Sequence, residues 1–95
     1  MKTIYKYPVP TGFAPFGAPF GVAIDLGGNA VVRYFGPDPQ GNLCVWAEID
    51  TDVICKTKKF HVVGTGHPLP KNASYLMSCL DKPYVWHLYA ENPGG

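Results

Sequence analysis

The sequence predicts an all-β protein: a single small antiparallel β-sandwich or barrel of six to seven short strands, with little or no helix. Two observations carry this prediction. Short runs of alternating apolar and polar residues are separated by Gly, Pro, Asn and Asp at intervals of about 8–12 residues. In addition, no apolar period of about 3.6 residues persists over the length of an ordinary helix, so helix is limited to one or two turns near residues 70–75.

The composition fits one folded domain that spans residues 1–95. An apolar fraction of 46% is enough to form a core, although a chain of 95 residues has a small one. The net charge of +1 is too balanced for direct DNA binding, because that depends on many Lys and Arg side chains. It also gives little electrostatic repulsion between copies, so we expect a homo-oligomer.

Seven strand-like segments follow one another along the chain. They are residues 3–7, 21–26, 30–35, 43–49, 56–63, 75–80 and 84–91. The first ends at Pro8 and Pro10, which cannot donate to a strand ladder. The triplet Gly27-Gly28-Asn29 has the composition of a hairpin turn between the second and third strands. The apolar side of the fourth strand is expected at Leu43, Val45, Ala47 and Ile49.

Residues 8–21 form an arm rich in proline, glycine and phenylalanine. Prolines and glycines at this density exclude a helix and disfavour a strand. Burying one phenylalanine contributes about 1.5–3 kcal/mol, so the three in the arm are costly to leave in water. These three are Phe13, Phe16 and Phe20. They either fold over the protein's own core or form an interface with a neighbouring subunit or a target protein. Residues 92–95 form a tail that we expect to fray.

The three cysteines, Cys44, Cys55 and Cys79, are widely spaced and include no Cys-x-x-Cys pair. This is typical of free thiols in a reducing compartment and not of a zinc site. No apolar run approaches the length of a membrane span, and the N-terminus lacks the apolar centre of a signal peptide. We therefore expect a cytoplasmic protein that makes no membrane contact and holds no metal or other cofactor.

One block, residues 60–70, suggests a ligand site. An alternating strand runs into Gly64-Thr65-Gly66-His67 and stops at two prolines. Glycines at alternate positions allow positive φ, so successive N–H groups can form a concave anion site, to which Thr65 and His67 add donors. Cations and an aromatic ring would complete the binding of phosphate and base. The further residues of this candidate site are Arg33, Lys58, Lys59 and Trp86. The alternative is a tight turn that needs glycine for its geometry alone.

Catalysis has one weak candidate in the sequence. Period-2 alternation in the last strand places Trp86 and Leu88 on one face and His87 on the other. A nucleophile–base pair needs a Ser or Cys beside a histidine, and Ser78 or Cys79 near His87 is the candidate that the sequence offers. Paired carboxylates and recognisable catalytic motifs are missing, so we expect a binding protein and not an enzyme.

Four segments together resemble a family of short phage and prophage proteins that form a domain of unknown function. They are residues 2–8, 44–47, 60–70 and 85–89, which carry a lysine–tyrosine start, a Val-Gly-Thr-Gly-His-Pro loop and a Val-Trp-His last strand. The resemblance implies a phage accessory protein that acts in the host cytoplasm and counters host defence by binding.

Two mechanisms stay open within that class. In the first, which the shared glycine loop favours, the protein sequesters a small phosphate-bearing nucleotide signal of host immunity at residues 64–67. In the second, it inhibits a host defence enzyme by a protein–protein contact through the phenylalanine arm. A structural or assembly role in the phage is a third interpretation.

Overall fold

The computed structural model describes residues 1–9, 22–53 and 57–92, and for Val22 it describes the backbone alone. The expectations for Phe13, Phe16 and Phe20 of the arm, for Cys55 and for the tail beyond Asn92 lie outside these ranges. The described residues form seven strands: β1 (Lys2–Pro8), β2 (Val22–Leu26), β3 (Val31–Pro37), β4 (Leu43–Asp50), β5 (Lys58–Gly64), β6 (Ala73–Asp81) and β7 (Tyr84–Glu91). The predicted all-β class is confirmed.

The strands form two antiparallel sheets that pack as a sandwich and not as a closed barrel. The small sheet has the order β1-β4-β3, and the large sheet has the order β2-β5-β7-β6. The edge strands β3 and β6 lie against each other at one corner of the sandwich. The described residues contain no helix, because residues 71–72 form a turn and β6 begins at Ala73.

The core lies between the two sheets and is centred on β4. Val45 and Ala47 of β4 are fully buried, and they share one apolar cluster with Phe60, Val62 and Leu88 of the large sheet. The apolar side predicted for β4 is confirmed at all four positions. The alternation predicted for β7 is confirmed as well, since Leu88 is buried in the core. We call the side of each sheet that faces this core its inner face and the opposite side its outer face.

The turn at Gly28 and Asn29 corrects the predicted hairpin. Both residues have positive φ, 66° and 55°, as a two-residue hairpin turn requires. The flanking strands nevertheless belong to different sheets, since β2 pairs with β5 and β3 pairs with β4. The turn instead packs on the end of β4: the Asp50 N–H donates to the Gly28 carbonyl at 2.8 Å, and a Cβ on Gly28 would lie 2.8 Å from Ile49 Cβ. It therefore carries the chain from one sheet to the other.

Candidate functional site

The segment that the sequence singles out, Gly64 to His67, is a tight turn after β5. The His67 N–H donates to the Gly64 carbonyl at 3.1 Å, and Gly66 has a φ of 91°. A type II turn requires positive φ at its third residue, which explains glycine at that position. Gly64 serves a different purpose, because a Cβ there would lie 3.2 Å from the rings of His67 and Trp86. One glycine thus permits the turn, and the other permits close packing of two rings.

The cations that the sequence assigns to this site lie elsewhere. Lys58 and Lys59 begin β5 whereas Gly64 ends it, which separates them by about 17–20 Å at the usual rise per residue. Arg33 lies on β3 of the small sheet, where its Nη2 donates to Glu48 Oε1 at 3.1 Å. The structure therefore does not bring these three cations to the turn. The predicted residues that it does bring together are Gly64, Thr65, Gly66, His67 and Trp86.

The rings beside the turn form a cluster on the inner face of the large sheet. We define the His67–Trp86 cluster as Gly64, His67, Cys79, Tyr84 and Trp86. Trp86 pairs with Gly64 on β5 and with Cys79 on β6, and its ring centroid lies 5.5 Å from that of Tyr84 at an angle of 41°. His67 Nδ1 and Trp86 Nε1 are buried and have no hydrogen-bond partner among the described residues. Buried polar atoms without a hydrogen-bond partner are rare in folded proteins.

The cysteine of this cluster is an inert thiol at neutral pH. Burial, and after it the Asp81 carboxylate, raises the pKa of the Cys79 thiol to about 11. Cys44 is also free, and its pKa is raised first by burial and then by Asp38. Both cysteines are free, one buried and one partly buried, in agreement with the sequence prediction for them.

The outer face of β6 and β7, together with the turn after β5, carries a row of hydroxyl and imidazole groups. We call Tyr75, Ser78, His87 and Thr65 the outer row. The Tyr75 hydroxyl lies 2.8 Å from Ser78 Oγ, and Ser78 Oγ lies 2.7 Å from His87 Nδ1. On the other side of the ring, His87 Nε2 lies 3.0 Å from Thr65 Oγ1. Thr65 Oγ1 in turn donates to the Val85 carbonyl at 3.3 Å.

The Val85 carbonyl can only accept, so the 3.3 Å contact with Thr65 Oγ1 favours one direction for the hydrogen bonds of the outer row. Thr65 has one hydroxyl proton, so donating it to Val85 leaves its oxygen to accept from His87 Nε2–H. His87 Nδ1 carries no proton in the resulting neutral ring, and it accepts from Ser78. Ser78 then accepts from the Tyr75 hydroxyl. The tautomer is assigned from this network, which pairs both nitrogens of His87.

A β-bulge in β6 makes the row continuous. Tyr75 and Ser78 are three residues apart, and residues at an odd separation in a regular strand face opposite ways. The register of β6 against β7 shifts between Tyr75 and Met77, and the extra residue returns both side chains to the outer face. The Tyr75 ring also packs edge-on against Tyr89 of β7, with centroids 5.6 Å apart.

Comparison with known proteins places the chain in a family. Over residues 1–95 the sequence matches the protein-family model described as Domain of unknown function (DUF7352). The chain belongs to this family. The description assigns its members no activity, so the function has to be argued from the surfaces of the protein. No curated protein matches the chain, and no solved structure matches it either.

The described part of the chain shows neither a membrane-spanning helix nor a cluster of metal-binding side chains. Among residues 1–9, 22–53 and 57–92, no helix has the length and apolar character that crossing a bilayer would require. Over the same ranges, no three His, Cys, Asp or Glu side chains come close enough together to hold a metal ion.

The β6–β7 hairpin concentrates exposed apolar side chains. Of the eleven large apolar side chains that are exposed in the described residues, five lie in this hairpin. We call these five the hairpin patch: Tyr75, Leu76, Leu80, Tyr84 and Val85. Leu80 and Val85 face each other across the two strands, and they are 59% and 38% exposed. Tyr75, Leu80 and Val85 of the patch lie on the outer face near Ser78 and His87, whereas Tyr84 lies against Trp86 on the inner face.

Ser78 and His87, which the sequence analysis names as a candidate nucleophile and base, lie side by side in the structure. The sequence marks both residues but does not show that they meet. A signal exists in the two-residue loop between β6 and β7: once Asp81 pairs with Tyr84, counting back along both strands pairs Ser78 with His87. The bulge that adds the tyrosine to the row has no comparable signal.

Proposed function

We propose that this protein is a phage-encoded accessory protein that counters host defence in the host cytoplasm by binding a host protein, with the hairpin patch as its contact surface. The observation that carries this proposal is the concentration of exposed apolar side chains in one hairpin. Clusters of this kind on soluble proteins are typical of interaction sites, because leaving them in water is costly. The phage origin and the role in defence rest on the resemblance of the sequence.

The chemistry of the patch suits a protein partner. Tyr75 and Tyr84 are 56% and 57% exposed, and tyrosine is enriched at interfaces because its ring is apolar and its tip is polar. From Ala73 to Leu80 the strand β6 carries no charged residue. Covering this surface therefore removes few charges from water, and taking an unpaired charge out of water is costly.

A small ligand is the second candidate, and one observation favours it. In the His67–Trp86 cluster, the Trp86 Nε1–H and His67 Nδ1 lack partners within the described ranges. A ligand that entered the cluster and offered an acceptor to Trp86 Nε1–H and a donor to His67 Nδ1, as a nucleobase can, would satisfy both atoms. A phosphate-bearing nucleotide signal fits less well, because the predicted cations lie away from the cluster.

An infection assay with matched variants tests the first candidate. A phage that lacks the gene is complemented with the wild type, Leu80→Asp or Val31→Asp on a host with active defence. Leu80 and Val31 are both exposed aliphatic residues, but Val31 lies on the small sheet and outside the hairpin patch. We expect Leu80→Asp to abolish complementation and Val31→Asp to preserve it, with melting temperatures unchanged. Full complementation by Leu80→Asp would reject the patch as the contact surface.

Two further measurements separate the other candidates. A captured nucleotide would raise the stability of the protein by RT ln(1 + [L]/Kd), and Trp86→Phe would reduce that shift. Native mass spectrometry reports the number of subunits. A dimer that Leu80→Asp converts to a monomer would assign the hairpin patch to a second copy of this chain and would count against a host protein as its occupant.

A further inference from the structure

We propose that Ser78 is a nucleophile activated by His87, and that the outer row transfers an acyl group from a carboxylic ester to Ser78 and then to water. This goes beyond the proposed binding function, because it concerns a reaction at the outer row and not the capture of a partner. It also puts to the test the expectation that the protein is not an enzyme.

Three side chains have the arrangement that an activated nucleophile requires. A nucleophile and its base must lie within hydrogen-bond reach, about 2.6–3.2 Å, and a third group must orient the base. Ser78 Oγ lies 2.7 Å from His87 Nδ1. Thr65 orients the ring from its far side, with 3.0 Å between Thr65 Oγ1 and His87 Nε2. The backbone carbonyl of Val85 fixes Thr65 in turn.

The proton positions in the row favour the reaction. In the tautomer that the network favours, the unprotonated Nδ1 of His87 faces the serine, so it can accept the Ser78 proton without any rearrangement. The imidazolium that forms would donate from both nitrogens, and Thr65 Oγ1 is already placed to accept from Nε2–H. The row therefore holds both protonation states of the ring in one orientation, which is the task of the third member of a catalytic triad.

The β-bulge supplies a hydrogen-bond donor next to the nucleophile. It places Tyr75 on the same face as Ser78, with the phenol 2.8 Å from Ser78 Oγ. When Ser78 bonds to a carbonyl carbon, the Tyr75 hydroxyl donates to the carbonyl oxygen, on which negative charge develops. Bulges commonly direct a side chain toward a functional site in this way.

The reaction consumes only the ester and water. Ser78 Oγ bonds to the carbonyl carbon while its proton moves to His87 Nδ1, and the bond to the leaving alcohol then breaks as the alkoxide takes that proton. Water repeats the sequence on the acyl-serine. Its oxygen bonds to the carbonyl carbon, one of its protons moves to His87 Nδ1, and Ser78 leaves with that proton as the carboxylic acid is released.

The neighbouring side chains define the class of substrate. Leu80 and Val85 occupy the next cross-strand pair on the outer face and are partly exposed. Both are uncharged and aliphatic, so an apolar acyl group lying over them would be removed from water. We therefore assign the row to esters with a small apolar acyl group.

The test is covalent labelling of the intact chain. The protein is incubated with a fluorophosphonate, which forms a stable bond with an activated serine, and the labelled residue is mapped by mass spectrometry. We expect label at Ser78, none in Ser78→Ala, and a rate at least about 100-fold lower in His87→Gln, because a positioned base contributes about 10²–10⁴-fold. Hydrolysis of p-nitrophenyl acetate should fall in the same two variants.

The chain contains its own control. Ser74 is an exposed serine on the same strand, but its hydroxyl donates to Asn92 Oδ1 at 2.7 Å and has no histidine partner. Equal labelling of Ser74 and Ser78, or an unchanged rate in His87→Gln, would overturn the proposal.

The positioning role of Thr65 has a separate readout. Thr65→Val removes the oxygen that holds His87 and should slow labelling of Ser78, whereas Thr65→Ser keeps the oxygen and should restore it. Equal labelling rates in Thr65→Val and Thr65→Ser would show that Thr65 does not position the base, which would contradict the activated pair.

Discussion

Trp86 and His87 are neighbours on β7, but the two faces of the large sheet give them opposite surroundings. His87 on the outer face has partners for both ring nitrogens, with Ser78 Oγ at 2.7 Å and Thr65 Oγ1 at 3.0 Å. Trp86 on the inner face has a buried Nε1 with no partner in the described part of the chain. The Nδ1 of the adjacent His67 is buried and unpaired there as well.

This difference shows how one strand can supply two kinds of surface. A fully paired network holds its side chains in one arrangement before any ligand arrives, which suits groups that must be positioned for chemistry. A buried donor without a partner costs about 1–3 kcal/mol, and a ligand that supplies the missing acceptor recovers that free energy. The outer row therefore favours reaction or specific contact, and the His67–Trp86 cluster favours capture.

The largest effect is expected from Gly64→Val, which alters the inner cluster alone. A Cβ at position 64 would lie 3.2 Å from the rings of both His67 and Trp86, which is already a tight contact, and valine adds two methyl groups beyond it. Such overpacking should lower the free energy of unfolding by about 1–3 kcal/mol. Thermal melting measures the loss, and the indole N–H signal of Trp86 should shift.

Gly66→Ala is the control for that variant. Gly66 has a φ of 91° and no atom near its missing Cβ, so alanine there meets backbone strain of about 1–2 kcal/mol but no ring. Its indole signal for Trp86 should match the wild type. A Gly64→Val protein with the wild-type melting temperature would contradict the close ring packing.

A smaller effect is expected from His87→Leu, which removes the paired ring. The variant loses the two hydrogen bonds to Ser78 and Thr65. Water replaces part of them at this partly exposed site, so we expect a loss of about 1 kcal/mol in denaturant titration. No loss at all would mean that the outer row contributes nothing to the fold.

Trp86→Phe should change stability least, although it removes the larger ring. The lost packing is offset because the unpaired buried N–H disappears with the indole. We expect the free energy of unfolding to stay within about 1 kcal/mol of the wild type. A loss well above about 2 kcal/mol would indicate that Nε1–H has a partner and that the contrast between the two faces is wrong.

Much of this fold is visible in the sequence, because period-2 alternation and turn residues mark each strand locally. The apolar side of β4 and the alternation of Trp86, His87 and Leu88 follow from that pattern alone. Pairing is not local, which explains the error at Gly28 and Asn29: their positive φ fits a hairpin, but the strands on either side pair with β5 and β4.

The candidate site was predictable in part for the same reason. The turn after Val63 and the neighbouring Trp86 were expected together, and the structure places them in contact. The separation of Lys58 and Lys59 from the turn follows from the rise of a single strand and was open to sequence reasoning. The link from Tyr75 to Ser78 was not, because it depends on a bulge in register.

The thiol of Cys79 offers a further comparison, which is read from its reactivity. Burial and then Asp81 raise the pKa of this thiol to about 11, so its thiolate fraction at pH 8 should be about 200-fold below that of an ordinary cysteine. Iodoacetamide labelling read by peptide mass spectrometry should be slower by the same factor. Labelling at the rate of free cysteine would place the thiol in water.

The raised pKa of Cys79 also makes the free energy of unfolding depend on pH. The folded state holds the thiol proton more tightly than the unfolded state, so this contribution is fully present below the ordinary thiol pKa of about 8.5. It should be lost as the pH rises toward about 11. Denaturant titrations of the wild type and Cys79→Ala across that range would show whether the alkaline decrease depends on this residue.

The tautomer of His87 tests the central claim most directly, since the order of the outer row depends on it. Nitrogen-15 NMR of the imidazole distinguishes a protonated ring nitrogen from an unprotonated one at neutral pH. We predict that His87 carries its proton on Nε2, leaves Nδ1 free to accept from Ser78, and loses this preference in Thr65→Val. A proton on Nδ1 in the wild type would reverse the hydrogen bonds and remove the base from the serine.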